Sequence, residues 1–439
     1  MEIKINPNVV NVRPAPPFGI NINYLRDSDR NRPQARPVAE AVKAAGMRFL
    51  RYPGGGKSDA VLHMVTPFDK CTPKPLIKPY TCFSEQAFMM DFDEFIATCR
   101  FSDCEPHIVV GCDTFERKKA TMDEFLDNAV NWVRYSNVVK GYGVRHWEVG
   151  NENWNDKNIP PAEFGRIVER FSKAMKQVDP SILIGASGKG EDWWEEFLPV
   201  AAEHIDYLTV SEYPCWGYMS YDTYADSEGF GLLGEAKRAL NSIDKFAPEH
   251  AERLFLAVVE FNSRDYMLDF ENAGWSSDNN LGHALANMDM CGQIALEERI
   301  KYAMIWNTRW MRQSNQFNDI FYGLDANNGL MPSTMCLYIW GRFMREEVLA
   351  TEAYEGLSVF AYKNADGLTV FVINKKGAEK KVPLTVPVND AGGKSAQTYT
   401  FTGTDPSDLY PTFRQSHDYS SGTAYTLPPY SLTVFDWNI

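Results

Sequence analysis

The sequence of 439 residues lacks the surplus of basic residues that nucleic-acid binding requires. It holds 44 Lys and Arg against 58 Asp and Glu, a formal net charge of −14. Proteins that bind the phosphate backbone instead carry basic patches that release counterions. The chain also lacks any run of about 18 apolar residues, the length that a membrane-spanning helix needs. We therefore expect neither a nucleic-acid partner nor a membrane segment.

Cysteine and histidine show no spacing that is typical of a metal or redox site. The eight Cys include no CxxC pair, and the seven His include no two that are four residues apart, so zinc and thioredoxin-like sites find no support. HExxH, GxSxG and GxxxxGK[ST] are missing too, which excludes the zinc peptidases, α/β-hydrolases and P-loop enzymes that depend on them. We expect no cofactor and no metal.

The cellular compartment is predicted from the N-terminus and the thiols. The start, MEIKINPNVV, lacks the charged and apolar regions of a signal peptide. We expect a cytoplasmic protein with reduced thiols, or a secreted one if a leader has been removed. Cys71 and Cys82, which bracket a proline-rich loop, are the one pair placed for a local disulfide.

Short apolar segments alternate with helix-like stretches from residue 18 onward, the pattern of βα units around a parallel sheet. The eight segments are 18–24, 47–52, 106–112, 144–150, 182–187, 206–213, 254–262 and 301–307. Eight such units close a (β/α)8 TIM barrel. Apolar residues at helical spacing predict helices at 36–45, 92–101, 123–138, 161–177 and 281–299. We predict an α/β fold with a catalytic barrel over residues 14–344.

The sequence changes character at about residue 345. In the segment 357–375, Asp-Gly separates two strand-like runs, which is typical of a β-hairpin. The final segment, YTLPPYSLTVFDWNI, predicts a closing strand. We predict an accessory antiparallel β-sandwich over residues 345–439, joined by a strand from residues 1–13.

Two of the predicted strands end in a carboxylate, at the end of a barrel where catalytic residues lie. The fourth segment runs into WEVGNENW, with Glu152, and the seventh into VVEFN, with Glu260. Two carboxylates about 5 to 5.5 Å apart are what retaining glycoside hydrolysis needs, one to protonate the leaving oxygen and one to attack the anomeric carbon. A lone Glu at a strand end is more often a salt bridge or a cap, but two at matching ends favour catalysis.

These motifs resemble those of the clan A glycoside hydrolases, most closely the arabinofuranosidase-like enzymes of families 51 and 39. WEVGNE resembles the acid/base strand, which implies that Asn151 contacts a sugar 2-hydroxyl and that Glu152 is the general acid/base. VVEFN is similar to the nucleophile strand, which implies that Glu260 is the nucleophile. RYPGGG resembles the second-strand motif, in which Arg51 would hold that nucleophile ionised. The resemblance covers essentially the whole chain.

Further parts of the chain carry the resemblance and one departure from it. The run Pro332–Trp340, followed by a β-sandwich, resembles the passage out of the barrel. Clan members usually end strand six with His-x-Tyr, whereas here Tyr213 is kept and Ser211 stands where His is expected. Tyr213 is then expected to hydrogen-bond the nucleophile, with the other polar partner weakened or supplied by a different residue.

Aromatic residues at strand ends are candidates for sugar binding. Trp306 and Asn307 close the eighth segment, and a Trp there resembles the platform under the central sugar, although core packing is the alternative. Other aromatics beyond strand ends could line further subsites or simply pack in loops: Trp154, Trp216, Tyr218 and Trp310.

Two more carboxylates near the strand ends are expected to be structural. Glu148 lies about 13 Å deeper along its strand than Glu152, which favours a buried ion pair. Glu212 alternates with Tyr213, so its side chain should point to the other side of the sheet.

The predicted function is retaining hydrolysis of a plant cell-wall type polysaccharide, with an α-L-arabinofuranosidase-like activity as the first choice. An endo-β-1,4-glucanase or xylanase of the same clan is the alternative within this class. A non-catalytic carbohydrate-binding protein is the alternative outside it, suggested by Ser211. The resemblance also allows a homo-oligomer.

Overall fold

The computed structural model describes residues 2–63, 73–76, 88–113, 120–155, 159–215, 220–226, 231–264, 279–311, 319–386, 395–420 and 422–438. Its strands are β1 Ile3–Lys4, β2 Val9–Val12, β3 Phe18–Asn21, β4 Phe49–Tyr52, β5 Val61–Leu62, β6 Lys74–Pro75, β7 Glu105–Val110, β8 His146–Val149, β9 Leu183–Ser187, β10 Tyr207–Glu212, β11 Phe255–Phe261, β12 Ile300–Ile305, β13 Arg309–Met311, β14 Asp319–Phe321, β15 Glu347–Leu349, β16 Leu357–Asn364, β17 Gly367–Asn374, β18 Lys380–Thr385, β19 Ser395–Thr402, β20 Thr412–Gln415, β21 Tyr419–Ser420, β22 Ala424–Leu427 and β23 Ser431–Asn438. Its α-helices are α1 Val38–Ala44, α2 Phe92–Ser102, α3 Met122–Val133, α4 Pro161–Val178, α5 Glu191–Ala201, α6 Tyr221–Asp226, α7 Gly234–Phe246, α8 Leu281–Leu296 and α9 Met335–Phe343.

Eight parallel strands close into a barrel, in the order β3, β4, β7, β8, β9, β10, β11 and β12. Every one coincides with one of the eight predicted apolar segments, so the predicted barrel is confirmed. The five predicted helices correspond to α1, α2, α3, α4 and α8, and a π-helical turn at Arg134–Val139 extends α3. The register of β10 against β11 shifts between Val210 and Ser211, so that Ser211 pairs with Glu260.

The C-terminal part forms two packed sheets, which confirms the predicted sheet domain. One sheet has the order β2-β15-β16-β17-β23-β19-β20, with β21 paired to β19, and the other has the order β1-β18-β22. β16 and β17 make the predicted hairpin. β1 and β2 join these sheets, and β1 pairs in parallel with β18, which departs from the antiparallel arrangement expected. The boundaries 14–344 and 345–439 stay a prediction.

Alternating side chains of β16 pack into two different cores, because successive side chains of a strand point to opposite faces of the sheet. Val359 and Ala361 pack between the two sheets. Phe360 and Tyr362 point the other way, into the core shared with the barrel helices. There the indole of Trp340, on α9, donates from Nε1 to the Tyr362 hydroxyl at 3.0 Å. The segment Pro332–Trp340, which resembles the passage out of the barrel, thus contacts the sheets through Trp340.

Within the described ranges, no helix is long and apolar enough to cross a membrane. The same ranges contain no group of three or more His, Cys, Asp or Glu that could hold a metal ion. Their cysteines are free and buried: Cys99, Cys104, Cys112, Cys215, Cys291 and Cys336. Cys71 and Cys82 lie outside the described residues, so their disulfide stays a prediction.

Candidate active site

Arg51 joins four polar groups at the centre of the barrel. Its Nη1 donates to Glu260 Oε1 at 2.8 Å and to Asn21 Oδ1 at 3.0 Å. Its Nη2 donates to Asn151 Oδ1 at 2.7 Å. The side chains of Arg51 and Glu260 are 0% and 5% exposed, so water competes little for this ion pair. The structure therefore brings together three of the predicted site residues, from β4, β11 and the end of β8.

Glu148 occupies the remaining side of the guanidinium, as a buried ion pair. Its Oε2 accepts from Arg51 Nε and faces His107 Nε2, both at 2.9 Å, and its Oε1 accepts from Thr209 Oγ1 at 2.7 Å. Burial alone would raise the pKa of Glu148, but Arg51 and His107 outweigh it and the pKa is lowered. The buried ion pair expected for Glu148 is confirmed by these contacts.

Both carboxylate oxygens of Glu260 accept a hydrogen bond. Oε1 accepts from Arg51, and Oε2 accepts from the Tyr213 hydroxyl at 2.9 Å. Burial raises the pKa of Glu260 above its ordinary value, while Arg51 and then Tyr213 oppose the rise. The two donors thus stabilise the ionised form and fix the plane of the carboxylate. This contact is the one expected for Tyr213.

Glu152 lies just beyond β8, with a left-handed backbone at φ 48°. The Ser211 hydroxyl donates to its Oε1 at 2.6 Å. Ser211 is paired with Glu260 across β10 and β11, so it stands between the two candidate catalytic strands. The sequence does not indicate this role: it predicts that the polar partner is weakened or supplied by a different residue, whereas here Ser211 is itself a donor to Glu152. No spacing in the sequence signals it, because it depends on the register shift after Val210.

Trp306 and Asn307 are buried beside this cluster, at 5% and 1% exposure. Trp306 packs with Tyr322, and Tyr213 and Trp310 lie against this pair. Among the residues that the structure describes, neither the indole Nε1 of Trp306 nor the side-chain amide of Asn307 has a hydrogen-bond partner. Such buried orphan groups are rare in native proteins and are suited to sugar hydroxyls.

The remaining predicted residues lie farther from the cluster or outside the described ranges. Trp154 is partly buried, with the ammonium of Lys189 4.6 Å from its ring centroid. Trp216 lies outside the described residues, as does Tyr218. Glu212 accepts from the backbone N–H of Ala236, at the start of α7, at 2.6 Å, and burial raises its pKa to about 8. Its predicted structural role agrees with this contact.

No family model matches the chain. Among curated proteins it is 22% identical to α-L-arabinofuranosidase C of Emericella nidulans, over 92% of this chain and 88% of that one. It is 32% identical to an intracellular exo-α-(1→5)-L-arabinofuranosidase of Bacillus subtilis, over 20% of this chain and 23% of that one. Among solved structures, an α-L-arabinofuranosidase from Thermotoga maritima in an arabinose complex superposes with a TM-score of 0.75 at 18% identity, over 100% of both chains. The resemblance predicted from the motifs is confirmed: over nearly its whole length, this chain is similar to the arabinofuranosidase-like glycoside hydrolases of clan A.

Proposed function

We propose that the chain removes α-L-arabinofuranosyl groups from plant cell-wall type polysaccharides, with Glu260 as nucleophile and Glu152 as general acid/base. The chain is an arabinofuranosidase-like glycoside hydrolase of the retaining type. The similarity to arabinofuranosidases over 92% of the chain supports the reaction class. The observation that carries the assignment of roles is the Glu260 carboxylate, held between Arg51 and Tyr213 with a donor on each oxygen.

In the first step, Glu260 attacks the anomeric carbon while Glu152 gives its proton to the glycosidic oxygen. The bond from the anomeric carbon to that oxygen breaks, the alcohol leaves, and an ester joins the sugar to Glu260. Tyr213 and Arg51 hold the attacking carboxylate ionised and oriented before the reaction. Because these two donors already restrict the carboxylate, less orientational entropy is lost on reaching the transition state.

In the second step, Glu152 acts as general base. It takes a proton from a water molecule, which attacks the anomeric carbon as the ester bond to Glu260 breaks. Two inversions give net retention. The Ser211 hydroxyl, which donates to Glu152 Oε1 at 2.6 Å, holds this carboxyl in place for both proton transfers.

Trp306, Asn307 and Asn151 are assigned to sugar binding. The indole face offers a flat apolar surface for sugar C–H groups. Its orphan Nε1 and the orphan Asn307 amide can bond to hydroxyls, and a site built this way rejects sugars that lack them. Asn151 is held by Arg51 at 2.7 Å, so its amide is oriented for a hydroxyl next to the anomeric carbon. Trp154 and Trp216 are assigned to further subsites.

A proton NMR time course tests this function. The purified protein is incubated with arabinoxylan, arabinan, xylan, xyloglucan and β-glucan, with Glu260→Gln as the inactive control. Free arabinose that appears first in the retained anomeric configuration is the expected result. Oligosaccharide products of retained configuration would indicate an endo-β-1,4-glucanase or xylanase instead of an exo-acting enzyme. A product of inverted configuration would refute the roles assigned to the two carboxylates.

The same experiment addresses the binding-protein alternative. Sugar-induced chemical shift changes without any product would favour a non-catalytic carbohydrate-binding protein. The cytoplasmic location, the homo-oligomer and the absence of a nucleic-acid partner stay predictions, and gel filtration with light scattering measures the oligomeric state directly.

A further inference from the structure

Lys57 is buried in the loop that follows β4, within a 3-10 helical turn at Gly55–Ala60. Its side chain is nearly inaccessible, at 1% exposure. Its Nζ donates to the Gly54 carbonyl at 3.0 Å, and it lies 3.9 Å from the ring centroid of Trp310 and 5.1 Å from that of Trp306. An ammonium group has three donors, and burying one against few acceptors costs free energy. The faces of the two indoles offset part of this cost, because a cation–π contact is stronger when it is shielded from water than when it is exposed.

The glycines before Lys57 let this loop close on the candidate site. Gly54 and Gly55 have left-handed backbones, at φ 102° and 57°. A Cβ on Gly55 would lie 2.6 Å from Trp306 Cη2 and 3.1 Å from Glu260 Oε1, so the loop backbone touches both the indole and the carboxylate. Lys57 is therefore part of one packed unit with Trp306, Trp310 and Glu260.

The charge of Lys57 depends on the groups that face it. Burial lowers its pKa to about 7, while the carboxylates of Glu260 and then Asp27 favour the ammonium form and Arg51 opposes it. Asp27 is itself paired with Arg309. Deprotonation would leave a neutral amine, which lacks the cation–π attraction of the ammonium to an indole face.

We propose that Lys57 is a positioning residue that fixes the Trp306–Trp310 indole pair beside Glu260 through its charged ammonium group. This inference rests on the proposed function, because it takes that indole pair as the platform of the reacting sugar. Lys57 acts through the two indoles and donates no proton to the substrate. The loop after β4 thus sets how firmly the sugar is held against the nucleophile, and it does so only while Lys57 is protonated.

The test uses kcat/KM of the full chain on 2,4-dinitrophenyl α-L-arabinofuranoside, measured across neutral pH. This leaving group departs without help from an acid, so kcat/KM reports glycosylation without the titration of Glu152. In the wild type we expect kcat/KM to fall as pH rises through about 7. In Lys57→Met we expect a rate about 30-fold lower at acid pH, equivalent to one desolvated cation–π contact, and no fall on the alkaline side.

Two further variants separate positioning from a general structural role. Lys57→Arg keeps its charge above neutral pH, so we expect most of the rate with the alkaline fall removed. Lys43→Met removes an exposed ammonium that lies 5.0 Å from the Phe101 ring on the barrel exterior, and it should match the wild type. An alkaline fall that persists unchanged in Lys57→Met, or equal losses in Lys57→Met and Lys57→Arg, would overturn the inference.

Tryptophan fluorescence tests the role of Lys57 independently of the proposed function. A pH titration of the wild type should show a transition near pH 7 that is absent in Lys57→Met and present in Lys43→Met. If the wild type cleaves no arabinofuranoside, the proposed function fails, and this titration still decides the role of Lys57. The same transition in wild type and Lys57→Met would overturn it.

Discussion

Replacing Arg51 by Met tests whether one buried guanidinium keeps the nucleophile ionised. Arg51 pairs with both Glu260 and Glu148 at 2.8 and 2.9 Å, and after burial it is the largest influence on the pKa of Glu260, which it lowers. A hydrogen bond to a charged group contributes about 1.5–3 kcal/mol, which is about 1 to 2 pKa units. Because only ionised Glu260 attacks, its higher pKa should move the acidic limb of kcat/KM up by about 1 to 2 pH units.

Stability changes in the same variant and needs its own control. Removing one partner of a buried ion pair costs about 3–5 kcal/mol, because a buried charge is left without compensation. Glu148 and Glu260 both lose their partner in Arg51→Met, so its melting temperature should fall. Adding Glu148→Gln removes one of these two charges and should restore part of the stability, whereas wild-type activity should not return, because Glu260 still lacks its guanidinium partner. An acidic limb that coincides with the wild type, or activity that returns together with stability, would refute the reasoning.

Three other substitutions have distinct expected outcomes. Tyr213→Phe removes the donor to Glu260 Oε2 and should lower kcat about 10- to 100-fold with KM little changed; steady-state kinetics showing a change in KM alone would contradict this. Ser211→Ala removes the donor to Glu152 and should slow alkyl arabinosides more than dinitrophenyl arabinosides, because only the former need a proton; equal slowing of both would argue against the acid/base assignment. Glu212→Gln should leave kcat/KM unchanged. Since the folded-state pKa of Glu212 is raised to about 8, the wild type should lose stability as pH rises from about 4.5 through 8, and thermal melts of the variant should lack this component.

The barrel could be predicted from the sequence because its strands are short apolar runs that alternate with helix-like stretches. Five helices could be predicted from apolar residues at helical spacing; side-chain caps at Asp91, Thr121 and Asn280 begin three of them, α2, α3 and α8. The described helices α5, α6, α7 and α9 were not predicted, and α5 and α7 are the two longest of these. Neither has a side-chain cap, and α5 contains Pro199 in its interior. Their formation depends on packing against the barrel, which local sequence does not reveal.

The candidate site likewise contains residues that the sequence indicates and residues that it does not. Glu152 and Glu260 could be located because strand ends are readable and their positions in the barrel are fixed by topology. The contacts of Ser211 could not, because they follow from the register shift in β10. Lys57 was also missed, since its approach to the indoles depends on the left-handed backbones of Gly54 and Gly55. A Lys after a glycine run is otherwise indistinguishable from a solvated loop residue.

Trapping of the covalent intermediate tests the central claim most directly. Without its general base, Glu152→Ala should still be glycosylated by 2,4-dinitrophenyl α-L-arabinofuranoside but should release the sugar slowly. Intact mass spectrometry should then show a gain of one pentosyl group, and peptide mapping should place it on Glu260. The double variant Glu152→Ala/Glu260→Gln should show none. A pentosyl group on another residue, or turnover in the double variant, would contradict the two-glutamate account.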